Sequence, residues 1–208
     1  MYVFGASGSD TGRSLSLRGF PLAPYWQGRY SNGPVTVEYL ASNLGIPSTK
    51  RTNYSVGGAT TGRDSNGLGH LDQFDTFNQS LGVAQADPNA LYFIDGVSAM
   101  NDFAKCGNAS CTNTQIALMN SNITTLIKNL AAKGAKHFYL GGAPEGVGKY
   151  RKGYNSQLAT DASSLSKSLG IDVVFYDYAA FSNKNFIVPD SGISYSTTTP
   201  KDGLKNSV

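Results

Sequence analysis

The sequence is poor in the residues that build metal and redox centres: its 208 positions hold two histidines and two cysteines. Both cysteines, Cys106 and Cys111, fall in KCGNASCTN with neither histidine nearby, so a zinc site has too few donors. The pair can close a small disulfide loop in an oxidising compartment or stay as idle thiols. Charge is scarce as well, at 15% of the chain with a net +3. The densest basic cluster, Lys149, Arg151 and Lys152, reads as a solvated turn. That excludes the cationic stripe a nucleic-acid surface needs. No apolar run approaches the ~18 residues that would span a bilayer. The amino terminus, MYVFGASGSD, passes from an apolar run straight into a glycine turn, without a charged-then-apolar leader. Either the protein is cytoplasmic or a leader has been removed. Four Asn-X-Ser/Thr sites, at Asn53, Asn78, Asn108 and Asn122, decide little in a chain so rich in these residue types.

Glycine, by contrast, is plentiful, with 24 residues gathered in short loops. That pattern favours tight strand-to-helix turns over disorder. Tyr2–Phe4 reads as a strand ended by Gly5, and 34–44 as a helix started by Pro34 with Asn32 or Gly33 as cap. Further strands are expected at 53–56, 91–94, 137–140 and 173–176. The run Leu91–Ile94 is apolar throughout, as in a strand buried on both faces. Helices are expected over 116–132, where Ile116, Met119, Ile123, Leu126, Ile127 and Leu130 keep three- and four-residue spacing, and over 155–169, before Gly170. This alternation predicts one α/β domain over 1–208, a three-layer sandwich around a mainly parallel, flavodoxin-like sheet. Its ligand crevice lies beyond the carboxyl ends of the strands. From Phe186 onward the pattern fades into a Ser-, Thr-, Gly- and Pro-rich tail.

Three segments at that predicted edge carry polar groups. After the first strand, Ser7 sits in a glycine-flanked turn that can present its hydroxyl beside backbone N–H donors. After the second comes Gly57-Gly58-Ala59-Thr60-Thr61-Gly62, whose backbone can approach a ligand closely. After the third, Asn101 can donate its amide to a developing negative oxygen, while Asp102 suits a helix cap.

These blocks resemble those of the SGNH/GDSL ester hydrolases. FGASGSDTG is similar to the GDSLSDTG block, and GRYSNGPVTVEYLA at 28–41 resembles a segment of the plant-lipase-like and secreted microbial branch. NYSVGGATTG at 53–62 looks like the second block, Asn101-Asp102 like the end of the third, and 154–181 like the helix and strand preceding the last. The resemblance implies an ester hydrolase with Ser7 as nucleophile and an oxyanion hole made by Ser7, Gly58 and Asn101. It implies no cofactor and no metal, and small-molecule esters, acetylated carbohydrates or lipids as substrates. It favours a secreted protein whose leader is not in this sequence.

The departures are equally specific. Ala6 stands where the family has Asp, Gly8 where it has Leu, and Ala99 where it has Gly. The final Asp-X-X-His block is missing: Asp190 is followed by Ile193, and STTTPKDG resembles the variable loop ahead of that block. The chain is therefore expected to stop before the catalytic Asp and His. His137 should lie at the opposite sheet edge, and His70 reads as a surface or capping residue. Two readings compete, a Ser7 esterase whose general base is absent from this chain and an inactive GDSL-like binding protein. A flavodoxin-like nucleotide-binding domain fits less well, because no phosphate-binding motif follows the first strand. Without the helix after the final block, one sheet face should be left uncovered, which predicts self-association through it.

Overall fold

Short runs become parallel strands here because each is joined to the next by a helix, the central Tyr2–Phe4 and Leu91–Ile94 being buried on both faces and Asp172–Tyr176 only in part. The computed structural model describes residues 1–106, 111–144, 150–178 and 180. Asn108, Lys149, Asp190 and the tail from Phe186 lie outside the described residues, as do the side chains of Arg151 and Lys152. The strands are β1 (Tyr2–Phe4), β2 (Thr52–Asn53), β3 (Leu91–Ile94), β4 (His137–Gly141) and β5 (Asp172–Tyr176). They form one sheet in the order β2-β1-β3-β4-β5, and every pairing is parallel. The α/β flavodoxin-like arrangement expected from the alternation is thus the one observed. The strand order reverses between β1 and β3, which opens a crevice at their carboxyl ends.

Register sorts the side chains between the two faces. Tyr2, Tyr92, Phe138 and Val173 lie in one row across the sheet, and Phe4, Ile94, Leu140 and Phe175 in another. Both rows face α3 (His70–Leu81), α5 (Asn113–Ala132) and α6 (Tyr150–Leu169), in a core that includes Phe77, Leu126, Ile127, Leu130 and Leu158. Phe77 is its hub, with ring contacts to Tyr2, Phe4, Tyr54, Phe74 and Tyr92. The intervening row, with Val3, Phe93 and Tyr139, faces α2 (Thr36–Asn43) through Val37 and Ala41. On β5 the same row reaches Val174, which is 62% exposed.

Element ends differ from the sequence reading for local reasons. The second strand covers Thr52–Asn53, and its pairing with β1 runs on beyond it, with the Tyr54 N–H on the Val3 carbonyl at 2.8 Å and the Val56 N–H on the Gly5 carbonyl at 3.1 Å. α5 starts at Asn113, ahead of its apolar period, because Thr112 and Gln115 cap each other's N–H groups. At α2 the cap falls to Glu38, whose carboxylate accepts the Val35 N–H at 2.9 Å, and not to Asn32 or Gly33. Two short helices completed by tertiary contacts, α1 (Arg13–Arg18) and α4 (Ser98–Lys105), follow the β1 and β3 loops. No helix among the described residues is long and apolar enough to cross a membrane.

Candidate active site

Ser7, Gly58 and Asn101 reach the carboxyl edge of the sheet on three different connections, the β1–α1 turn, the loop after β2 and helix α4. Hydrogen bonds lock these connections together. Asn53 donates its amide to the Ser9 carbonyl at 2.7 Å and to Thr11 Oγ1 at 3.0 Å. Asp10 accepts the N–H groups of Gly12, Arg13 and Ser14 at the start of α1, and that of Gly57 across the gap at 2.9 Å. Arg18, from the end of α1, donates to the Gly57 carbonyl. On the far side, Asn101 Nδ2 donates to the Ala59 carbonyl at 2.7 Å, and Asp102 accepts the Thr61 N–H at 2.7 Å. Asp102 lies inside α4, so it ties two loops together and does not cap its own helix, as the sequence reading had it.

Within this frame, certain donors stay open. The N–H groups of Ser7 and Gly58 donate to no described residue, and the Ser7 hydroxyl bonds to none. Their neighbours are engaged: the Ala6 N–H with Asp95, the Gly57 N–H with Asp10 and Ser14, the Ala59 N–H with Val56. Ser7 is half-buried and Gly58 exposed, at φ +84°, a left-handed conformation natural to glycine. Asn101 commits one amide hydrogen to Ala59 and keeps a second.

Asp95, at the end of β3, is a site residue that the sequence did not single out. It is fully buried, and its carboxylate accepts the Ser9 hydroxyl at 3.0 Å, the Val97 N–H at 3.0 Å and the Ala6 N–H. Burial pushes its carboxyl above the ordinary value, while the three donors pull it back. Asp102 is raised by burial in the same way, opposed by Thr61 and Lys105. Gln73 was also missed. From α3 its amide accepts the Gly5 N–H at 2.9 Å and donates to the Gly5 carbonyl at 2.8 Å, fixing the chain two residues before Ser7.

Two departures from the family pattern have local explanations. A Cβ at Gly8 would fall 2.6 Å from Val97 Cγ2, so the loop after β3 occupies the space a leucine would need. Ala6 is fully buried with its N–H on Asp95, so an acid here would bring a second buried carboxylate near the first. The fully buried Ala99 has no comparable account.

Neither histidine is displayed beside Ser7. His137 begins β4 at the opposite edge of the sheet, exposed, with Nδ1 2.8 Å from Asp172. His70, expected at the surface or as a cap, is fully buried at the start of α3. The correction has a packing cause: its Nε2 lies 2.5 Å from Ser98 Oγ, joining α3 to α4, while Nδ1 has no protein partner. Burial drives this imidazole down to about 3, so it is neutral near pH 7.

Other candidates resolve simply. Cys106 and Cys111 are paired in a disulfide with Cα atoms 5.2 Å apart, between α4 and α5. Asn53 and Asn122, two of the four glycosylation sequons, use their amides in hydrogen bonds to neighbouring segments. Among the described residues no cluster of three or more His, Cys, Asp or Glu could hold a metal.

The chain is 43% identical over 61 residues to the phosphatidylcholine-sterol acyltransferase of Aeromonas hydrophila, a match covering 28% of this chain and 18% of that relative. Residues 1–206 match the family described as GDSL-like Lipase/Acylhydrolase, and the chain belongs to that family.

Proposed function

We propose that this chain is a carboxylic-ester hydrolase acting through an acyl-enzyme on Ser7. The observation that carries the reading is the set of open groups at the β1/β3 crevice: an unbonded Ser7 hydroxyl beside the undonated N–H groups of Ser7 and Gly58. In this reading Ser7 Oγ bonds to the ester carbonyl carbon, and the carbonyl oxygen takes the negative charge. The two N–H groups and the second amide hydrogen of Asn101 receive that charge at a preorganised site. The alcohol then leaves, and water releases the acyl group. Short acyl esters, acetylated carbohydrates and lipids are the substrate classes. The acyltransferase relative adds the option of an acceptor alcohol in place of water.

The Ser7 proton needs an acceptor, and the chain has only two histidines. His70 is committed to Ser98 and His137 to Asp172. In this reading neither histidine takes the proton, so it passes to solvent water as the Oγ–acyl bond forms, and acylation by this form is slow. The same observation favours the second reading, a binding protein that keeps the crevice without turnover. Hydrolysis of p-nitrophenyl acetate by this chain and by Ser7→Ala separates the two. A rate above buffer that disappears in the variant supports the esterase. Equal rates in both refute it and leave the binding protein.

A further inference from the structure

Tyr30 rests its ring on Gly57, the residue before the candidate oxyanion donor Gly58. A Cβ built on Gly57 would overlap the ring at Cε2 and Cζ and fall 2.5 Å from the hydroxyl oxygen. The distal, polar end of Tyr30 therefore borders the Gly57–Gly58 turn. Its backbone is firmly held: the Trp26 N–H bonds to the Ser31 carbonyl at 2.9 Å, closing the turn that contains Tyr30. The preceding residue, Arg29, grips the Glu38 carboxylate with two nitrogens, at 2.6 and 3.2 Å. On the outer side the ring of Tyr25 stands 6.0 Å away, at 60°.

The hydroxyl is an open group in this arrangement. On the neighbouring segments Arg18 donates to the Gly57 carbonyl, although its Nε stays unpartnered, Asp10 accepts the Gly57 N–H, and Arg29 holds Glu38. The Tyr30 O–H bonds to no described residue, and the side chain is only half-buried. A phenol held rigidly with an open, solvent-reachable donor at the rim of a crevice is arranged to meet something other than protein.

We propose that Tyr30 is a substrate-contacting, specificity-determining residue, its hydroxyl donating to an oxygen of the ester bound at the Gly57–Gly58 rim and its ring forming that wall of the site. This rests on the Ser7 reading above. The contact is made in the bound ester before charge develops, so its loss falls on KM, unlike the loss of an oxyanion donor. Because the hydroxyl has no partner among the described residues, Tyr30→Phe keeps the ring on Gly57 and the melting temperature of the parent.

The test compares the parent, Ser7→Ala and Tyr30→Phe on p-nitrophenyl acetate and p-nitrophenyl butyrate, with a thermal melt of each. The expected result is Ser7-dependent turnover whose kcat/KM falls about tenfold in Tyr30→Phe, mostly through KM, with an unchanged melt. Ser7-dependent turnover that is identical in Tyr30→Phe overturns the Tyr30 role and leaves the esterase reading standing. A fall in kcat/KM matched by a fall in melting temperature marks the hydroxyl as structural and also overturns it. Turnover unaffected by Ser7→Ala overturns the esterase reading and the Tyr30 role with it.

Discussion

Replacing His70 by leucine should flatten the acid limb of the stability curve. The imidazole is fully buried, held near 3 by burial, and bonded to Ser98. In the unfolded chain it titrates near 6.5. Between these values the unfolded state binds a proton that the folded state refuses, so stability falls as pH falls. The slope from this one group is about 1.4 kcal/mol per pH unit. Integrated from pH 7 down to about 4.5, it removes about 2.6 kcal/mol from the native state. The raised carboxyls of Asp95 and Asp102 act in the opposite sense, since a raised acid favours the folded state at low pH. Both are present in parent and variant alike and drop out of the comparison. At neutral pH His70→Leu costs stability, because Ser98 Oγ is left buried without its partner, a loss of about 1–3 kcal/mol. Urea unfolding of parent and variant at several pH values measures the difference directly. The gap between them should narrow by about 2.6 kcal/mol between pH 7 and about 4.5, bringing the two curves together in acid. Curves that stay parallel over that range would mean that His70 protonates without penalty, and the buried Ser98 link would be wrong.

Two further outcomes follow from the crevice. Asn101→Ala removes a candidate oxyanion donor and should lower the Ser7-dependent kcat by about 10²–10³ with little change in KM; a KM effect alone would make Asn101 a ground-state contact. Added imidazole should raise turnover by the parent more than by Ser7→Ala, since a diffusible base then takes the proton that neither histidine can. An equal increase in both proteins would be catalysis by free imidazole alone and would count against an activatable Ser7.

The parallel sheet was readable because its strands are short and mostly apolar, wholly so at Leu91–Ile94, and some run into glycine, as at Gly5 and Gly141. The long helix α5 was readable from its apolar spacing, although its polar first turn was not. What the sequence hid is what depends on distant partners. Asp95 reads as one acid in a loop until the fold sets it beneath the Ser9 hydroxyl. Gln73 sits unremarked on an amphipathic helix until its amide meets Gly5, 68 residues away in sequence. His70 was read as a surface or capping residue, and only tertiary packing puts Ser98 against it. Ser7 and Asn101 could be named in advance from their blocks at predicted strand ends, and Gly58 through the resemblance to the family's second block. The open state of the Ser7 and Gly58 N–H groups could not, since it depends on which neighbouring donors the fold consumes.

The central claim is that Ser7 is the acyl acceptor, and trapping the acyl group tests it most directly. On the proposed reading no histidine serves deacylation either, so an acetyl group transferred from p-nitrophenyl acetate should persist on the protein. Peptide mass mapping after exposure to p-nitrophenyl acetate is predicted to place that acetyl on Ser7, with none at this position in Ser7→Ala. A protein that stays unlabelled, or one labelled elsewhere with Ser7 bare, would contradict the account.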